Sequence, residues 1–119
     1  MQTKWNDSQP IYVQLREHAV DMILDGVLGE GDPLPSVRKV AADFQLNPIT
    51  VSKAYQSLVD DELVERRRGL GMFVRKGAKQ ALLKAERDKF LTEEWPHLRD
   101  RILRLGLDPE KLLGGIEQD

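Results

Sequence analysis

The 119-residue chain has no cysteine, only two histidines and an aromatic share of 6%. Without a thiol there is no disulfide, no cysteine nucleophile and no cysteine-based zinc site. No apolar run approaches the ~20 residues that a membrane-spanning helix needs, and the opening MQTKWNDSQP lacks the apolar stretch of a secretory leader. Cytoplasm is therefore the expected compartment, and no membrane partner is expected. A global excess of positive charge is missing too. The net charge is −2, and residues 1–76 carry 10 Lys+Arg against 11 Asp+Glu. A nucleic-acid footprint can only come from local clustering. What is present is 40% hydrophobic and 32% charged residues, the balance of a soluble folded chain. The length supports one small core, or a compact domain plus a short appendage.

Residues 1–9 read as a loose leader, and Pro10 opens a helix on which Tyr12, Leu15, Ala19, Met22 and Ile23 recur at helical spacing. Gly26 and Gly29 end it. Pro33 and Pro35 hold the next stretch extended and deny a helix until Ser36, a credible N-cap. Val37, Val40, Ala41 and Phe44 then follow the i, i+3, i+4, i+7 pattern of a short amphipathic helix. After the tight Gln45-Leu46 connection, Asn47 caps and Pro48 starts another helix, with Val51, Ala54, Tyr55, Leu58 and Val59 on its apolar face. Two short helices so closely joined are the signature of a helix-turn-helix.

After Asp60-Asp61-Glu62 the period changes from helical to alternating. Leu63–Arg66 and Met72–Arg75 read as two strands of a hairpin, turned by Arg68-Gly69-Leu70-Gly71. Three helices and a hairpin make a mainly α, winged helix-turn-helix domain over residues 1–76. The stretch from Val64 to Lys76 carries Arg66, Arg67, Arg68, Arg75 and Lys76 against Glu65 alone, a local charge of +4 in thirteen residues. Residues 77–119 form a second, helical region. There Leu82, Leu83 and Phe90 share one helix, Pro96 starts another across a break, and Asp108 caps a last turn that Gly114-Gly115 stops. Phe90, Leu91, Trp95, Leu98, Ile102 and Leu105 line up at steps of three and four. That stripe is too apolar to stay in water. A second copy is its natural cover, since two-fold dimers are the commonest oligomers, and folding back on the chain's own winged helix is the alternative.

Four segments, in order, resemble the GntR family of bacterial regulators: Pro10–Leu15, Leu34–Arg38, Asn47–Tyr55 and Gly69–Val74. The short helical tail resembles the YtrA subfamily in particular, and the 43 residues after Lys76 leave no room for the larger ligand-binding domains of other subfamilies. The resemblance implies a homodimeric transcription repressor, often of transport genes, on double-stranded operator DNA. It also implies that Arg38 contacts DNA. One position departs from the family: Glu62 stands where a glycine is usual.

In a helix-turn-helix the first residues of the second helix face the base edges. Asn47, Pro48, Thr50, Ser52 and Lys53 are therefore candidate DNA-binding residues, with Ile49 within reach of a thymine methyl and Lys53 suited to phosphate. Ser36 and Asn47 double as caps. Arg66, Arg68 and Gly69 are the candidates on the wing, and strand alternation turns Arg67 the other way, toward an acid. Tyr55 joins the candidates through its hydroxyl, although its ring belongs to the core stripe. No convergent catalytic constellation, metal cluster or phosphate loop is visible, so no enzyme, cofactor or metal is expected. A winged helix that binds another protein remains the alternative. A small-molecule effector is left open.

Overall fold

The computed structural model describes residues 5–114. Helix α1, Ile11–Leu24, turns Leu15, Ala19, Val20 and Ile23 inward. The segment before it is not the loose leader expected. The Gln14 amide donates to the carbonyls of Asn6 (2.9 Å) and Gln9 (2.8 Å) and accepts from the Asn6 N–H (3.0 Å). Trp5 stands edge-on to Phe44, with ring centroids 5.9 Å apart. One side chain that satisfies three backbone groups, together with one aromatic anchor, is enough to order a short polar stretch. Residues 1–4 of that stretch, and Gly115 at the other end, lie outside the described residues.

Helix α2, Val37–Phe44, begins where the Ser36 hydroxyl accepts from the Lys39 N–H at 3.1 Å. Helix α3, Pro48–Asp60, begins where Asn47 Oδ1 accepts from the Ile49 N–H at 2.9 Å, with Pro48 in the first helical position. Each cap satisfies a donor that the helix leaves orphaned, worth about 1 kcal/mol. Between the helices, Gln45 is left-handed (φ 55°). Leu46 donates to Ala41 and Gln45 to Ala42, the paired bonds of a Schellman ending. The α3 terminus repeats them: Leu63 donates to Leu58 (3.0 Å) and Glu62 to Val59 (2.9 Å), and Glu62 takes the left-handed place at φ 60°.

The hairpin consists of β1, Val64–Arg67, and β2, Gly71–Val74, with Val64 opposite Val74 and Arg67 opposite Gly71. Each strand lies one residue from its expected span. Gly69 and Gly71 take φ of 76° and 113°, which frees the turn from the Cβ penalty. The other edge of β2 is also paired. Gly31 donates to Val74 (2.8 Å), Val74 to Asp32 (2.9 Å) and Leu34 to Met72 (2.8 Å), and Pro33 bridges Phe73. Its prolines hid this bridged segment from the sequence reading. Pro33 sits in the non-hydrogen-bonded pair, where no N–H is asked of it.

The core gathers Ile23 from α1, Val51 and Leu58 from α3, and Val64 and Val74 from the hairpin, all fully buried. Ala78 and Leu82, from the start of helix α4 (Ala78–Lys89), are buried with it. The division into two compact units accordingly falls between Leu83 and Lys84.

The second unit continues from Lys84 through a π-helical turn, Phe90–Glu94, into α5, Trp95–Leu105, and the short α6, Pro109–Gly114. The break expected before Pro96 is a widened turn instead: Lys89, Glu94 and Trp95 all keep right-handed helical angles. Pro96 has no N–H to give, and its ring crowds the carbonyl four residues back, so the preceding turn opens by one residue. Helix α5 ends at Gly106 (φ 69°), and Asp108 Oδ1 caps α6 by accepting from the Glu110 N–H at 3.0 Å. Among the described residues, no helix is long and apolar enough to cross a membrane.

Candidate nucleic-acid interface

Apolar positions Val51, Ala54, Tyr55 and Leu58 turn one side of α3 into the core, which leaves the other side outward. Asn47, Pro48, Ser52 and Lys53 are exposed there, Thr50 is half-buried, and Ile49 is 73% exposed. Most of the candidates on this helix thus share its outer side. The first turn contains no acid. Its positive dipole end accordingly suits a phosphate, while Asn47 already accepts from the Ile49, Thr50 and Val51 N–H groups. Lys53 is placed differently from a free phosphate hook. Its Nζ lies 4.3 Å from the centroid of the Tyr12 ring on α1, a cation–π contact that holds the charge beside the recognition helix.

Tyr55 departs from the expectation. Its side chain is 5% exposed, and its hydroxyl donates to the Pro35 carbonyl at 2.6 Å. Burial pushes the phenol up to about 12. The hydroxyl proton is committed to the backbone that leads into α2, so Tyr55 is held in the core and lines the cleft between α2 and the wing from behind. The apolar spacing of α3 already signalled this.

On the wing, Arg66 and Arg67 take different partners, and both line the same cleft as Arg68. Arg67 bonds Glu65 (2.8 Å) and covers the Phe73 ring at 4.2 Å. Arg66 donates through Nη2 to Gln56 on α3 at 2.9 Å, which ties the wing to the recognition helix. Arg68 is exposed and makes no ion pair among the described residues; the same holds for Arg38 on α2. A cleft of about 480 Å³ lies between the start of α2 and the wing, and it brings together Ser36, Arg66, Arg68 and Gly69. Its arginines give it a cationic wall that suits phosphate contacts. Sequence reasoning missed Gln56, a polar residue one turn beyond Ser52 on the same helix and visible only once the wing is in place.

The run Asp60-Asp61-Glu62 disperses over three partners. Asp60 accepts from Gln56, Asp61 pairs with Arg16, and Glu62 faces Arg75 at 3.7 Å. The last two ties fix the end of α3 to α1 and to the residue after β2.

In the second unit, Phe90, Leu91, Trp95, Leu98, Ile102 and Leu105 line one apolar groove of about 620 Å³. Leu107, Pro109, Leu112 and Leu113 extend it; the sequence reading had taken that segment only as a closing turn. No residue from Lys84 to Gly114 is buried.

Comparison with known proteins agrees with this geometry. The pattern of the bacterial regulatory proteins, gntR family, matches residues 11–74. The chain is similar to the uncharacterized HTH-type transcriptional regulator YhcF of Bacillus subtilis, with 32% identity over 98% of this chain and 95% of YhcF. It is also similar to the HTH-type transcriptional repressor YtrA of Bacillus subtilis, with 39% identity over 66% of this chain and 61% of YtrA. Among solved structures, a GntR family transcriptional regulator from Listeria monocytogenes superposes with a TM-score of 0.72 at 25% identity, covering 97% of this chain and 99% of that one. The AraR DNA-binding domain, solved in complex with operator ORX1, superposes with a TM-score of 0.55 at 25% identity, covering 62% of this chain and 90% of that one.

Proposed function

The chain belongs to the gntR family of bacterial regulatory proteins, and we propose that it is a cytoplasmic repressor that binds an inverted-repeat operator as a homodimer. That it is a DNA-binding transcription regulator and not an enzyme follows from the family and the winged-helix fold. The observation that carries the finer reading is the pairing of two surfaces in one unit. The outer face of α3, led by Asn47, Thr50, Ser52 and Lys53, has the shape and polarity for a major groove. Beside it, Ser36, Arg66, Arg68 and Gly69 line a cleft suited to the phosphate track, and Arg38 stands exposed on α2. AraR, whose domain shares this fold, is solved on an operator, and YtrA is a repressor; both support the reading. The apolar groove of the tail supports the dimer, which sets two recognition helices on two half-sites. The proposal includes control of transporter genes, which the resemblance to the YtrA subfamily implies.

The test is fluorescence anisotropy on the DNA upstream of the protein's own gene against a scrambled duplex, at one near-physiological salt. A preference of ~1,000-fold or more is expected. Equal, weak and salt-sensitive binding to both, repeated with duplexes selected from a random library, would favour a winged helix that binds a protein partner instead. Arg38→Ala and Arg68→Ala should each weaken operator binding without lowering the melting temperature. Each should also shallow the log–log salt slope by about 0.9. Unchanged slopes would remove both side chains from the interface.

A further inference from the structure

We propose that Ile49 reads a thymine in each operator half-site by covering its C5 methyl group, an inference that rests on the operator-binding function above. Ile49 is 73% exposed at the second position of α3, although the rest of that helix's apolar set is turned inward. Nothing local asks for isoleucine there. The helix start is already fixed by the Asn47 cap and Pro48, a β-branched residue is a weaker helix former than alanine, and the dipole at this end favours an acid. Single exposed apolar side chains are common on protein surfaces; the position of this one gives it a use. Helical side chains lean toward the N-terminus, so Ile49 projects at the leading end of the helix, ahead of Ser52 and Lys53. Isoleucine carries no donor or acceptor and gains nothing from the hydrogen-bonding edges of adenine, guanine or cytosine. The thymine methyl is the one apolar feature that the four bases present in the major groove. Pro48 and Ile49 are the exposed apolar residues of this turn, and Ile49 has the longer side chain.

The experiment uses the full chain and a duplex enriched by it from a random library. Each thymine of that duplex is replaced in turn by deoxyuridine, which removes the methyl and keeps the base pairing. At one thymine per half-site, wild-type affinity should fall about fourfold, the effect of exposing one methyl-sized group. In Ile49→Ala, which touches no core residue and should melt as the wild type does, that fall should vanish. Replacing the same T·A pair by 5-methylcytosine·G should bind about fourfold better than unmethylated C·G, again only while Ile49 is present. An Ile49→Ala protein that keeps the full deoxyuridine penalty overturns the proposal. If no sequence is enriched at all, the operator-binding function fails and this inference with it. An enriched sequence with no Ile49-dependent methyl effect overturns this inference alone.

Discussion

In the first unit Ile23, Val51, Leu58, Val64 and Val74 are all at most 1% exposed, whereas in the second Leu91 and Leu105 are 59% exposed and Leu113 is 89% exposed. Both units use the same kinds of side chain at the same helical spacing. They differ in geometry. The winged helix sets three helices, a hairpin and the edge segment Gly31–Leu34 around one centre, so each apolar stripe meets another. The tail has α5 and the six-residue α6 about a groove with one open side. A stripe with one wall cannot be dry, and each large side chain left in water forgoes roughly 1.5–3 kcal/mol. The contrast teaches that the first unit is stabilised from within, while the second leaves its apolar groove exposed.

That contrast can be broken by paired substitutions. Leu58→Ala removes a fully buried side chain from the first unit and should lower its unfolding free energy by about 3 kcal/mol, read by urea denaturation. Leu98→Asp alters a tail residue that is 46% exposed. It should leave the first unit's denaturation midpoint in place and reduce the mass seen by light scattering from twice 13.6 kDa to one chain. A Leu98→Asp protein that stays dimeric would take the groove out of the dimer contact. A Leu58→Ala cost that depends on protein concentration would mean that the first unit is not stable by itself.

Tyr55 sharpens the comparison by pH. Its phenol is raised from 10.0 to about 12 by burial, so folding favours the neutral form. The sign follows: the contribution is complete below pH 10 and is lost as the pH rises from 10 through about 12. Urea midpoints should therefore fall above pH 10 in the wild type and in Leu98→Asp alike, because the group belongs to the first unit. Tyr55→Phe should lack that share of the slope. At pH 7 it should cost about 1 kcal/mol, since the Pro35 carbonyl loses its donor. An identical alkaline slope in wild type and Tyr55→Phe would show that the phenol does not control it.

The parts of this structure that were legible in the sequence are those set by local chemistry. Ser36 and Asn47 cap because their oxygens reach donors two or three residues on. The glycines at 69 and 71 turn the hairpin because only they take its positive φ without strain. The outward side of α3 was legible because its apolar period leaves the complement exposed. What escaped depended on distant partners. Trp5 is ordered by Phe44, and the Gly31–Leu34 segment is held extended only because β2 offers it an edge. The partnership of Arg66 with Gln56 spans ten residues and two elements. Lys53 has the spacing of a phosphate contact, and its cation–π partner Tyr12 lies on another helix.

The smallest effect concerns how helices end, and it reaches both units. Helices α2, α3 and α5 close with the same paired backbone bonds, yet the left-handed position holds Gln45 in the first, Glu62 in the second and Gly106 in the third. In the tail the glycine satisfies the backbone without strain. In the winged helix two side chains with a Cβ are forced to φ of 55° and 60°, each at a cost on the order of 1 kcal/mol. Glu62 receives some compensation from Arg75, but at 3.7 Å and 76% side-chain exposure that pair is worth only a few tenths of a kcal/mol. Glu62→Gly should therefore stabilise the first unit by about 0.5 kcal/mol, measured as a higher urea midpoint with unchanged cooperativity. The same change frees Arg75 and loosens the tie between the end of α3 and the wing, so operator affinity should fall slightly while stability rises. A Glu62→Gly protein that loses stability would show that the Arg75 pair outweighs the backbone strain. The junction between recognition helix and wing would then be held by charge more than by the geometry of the helix end.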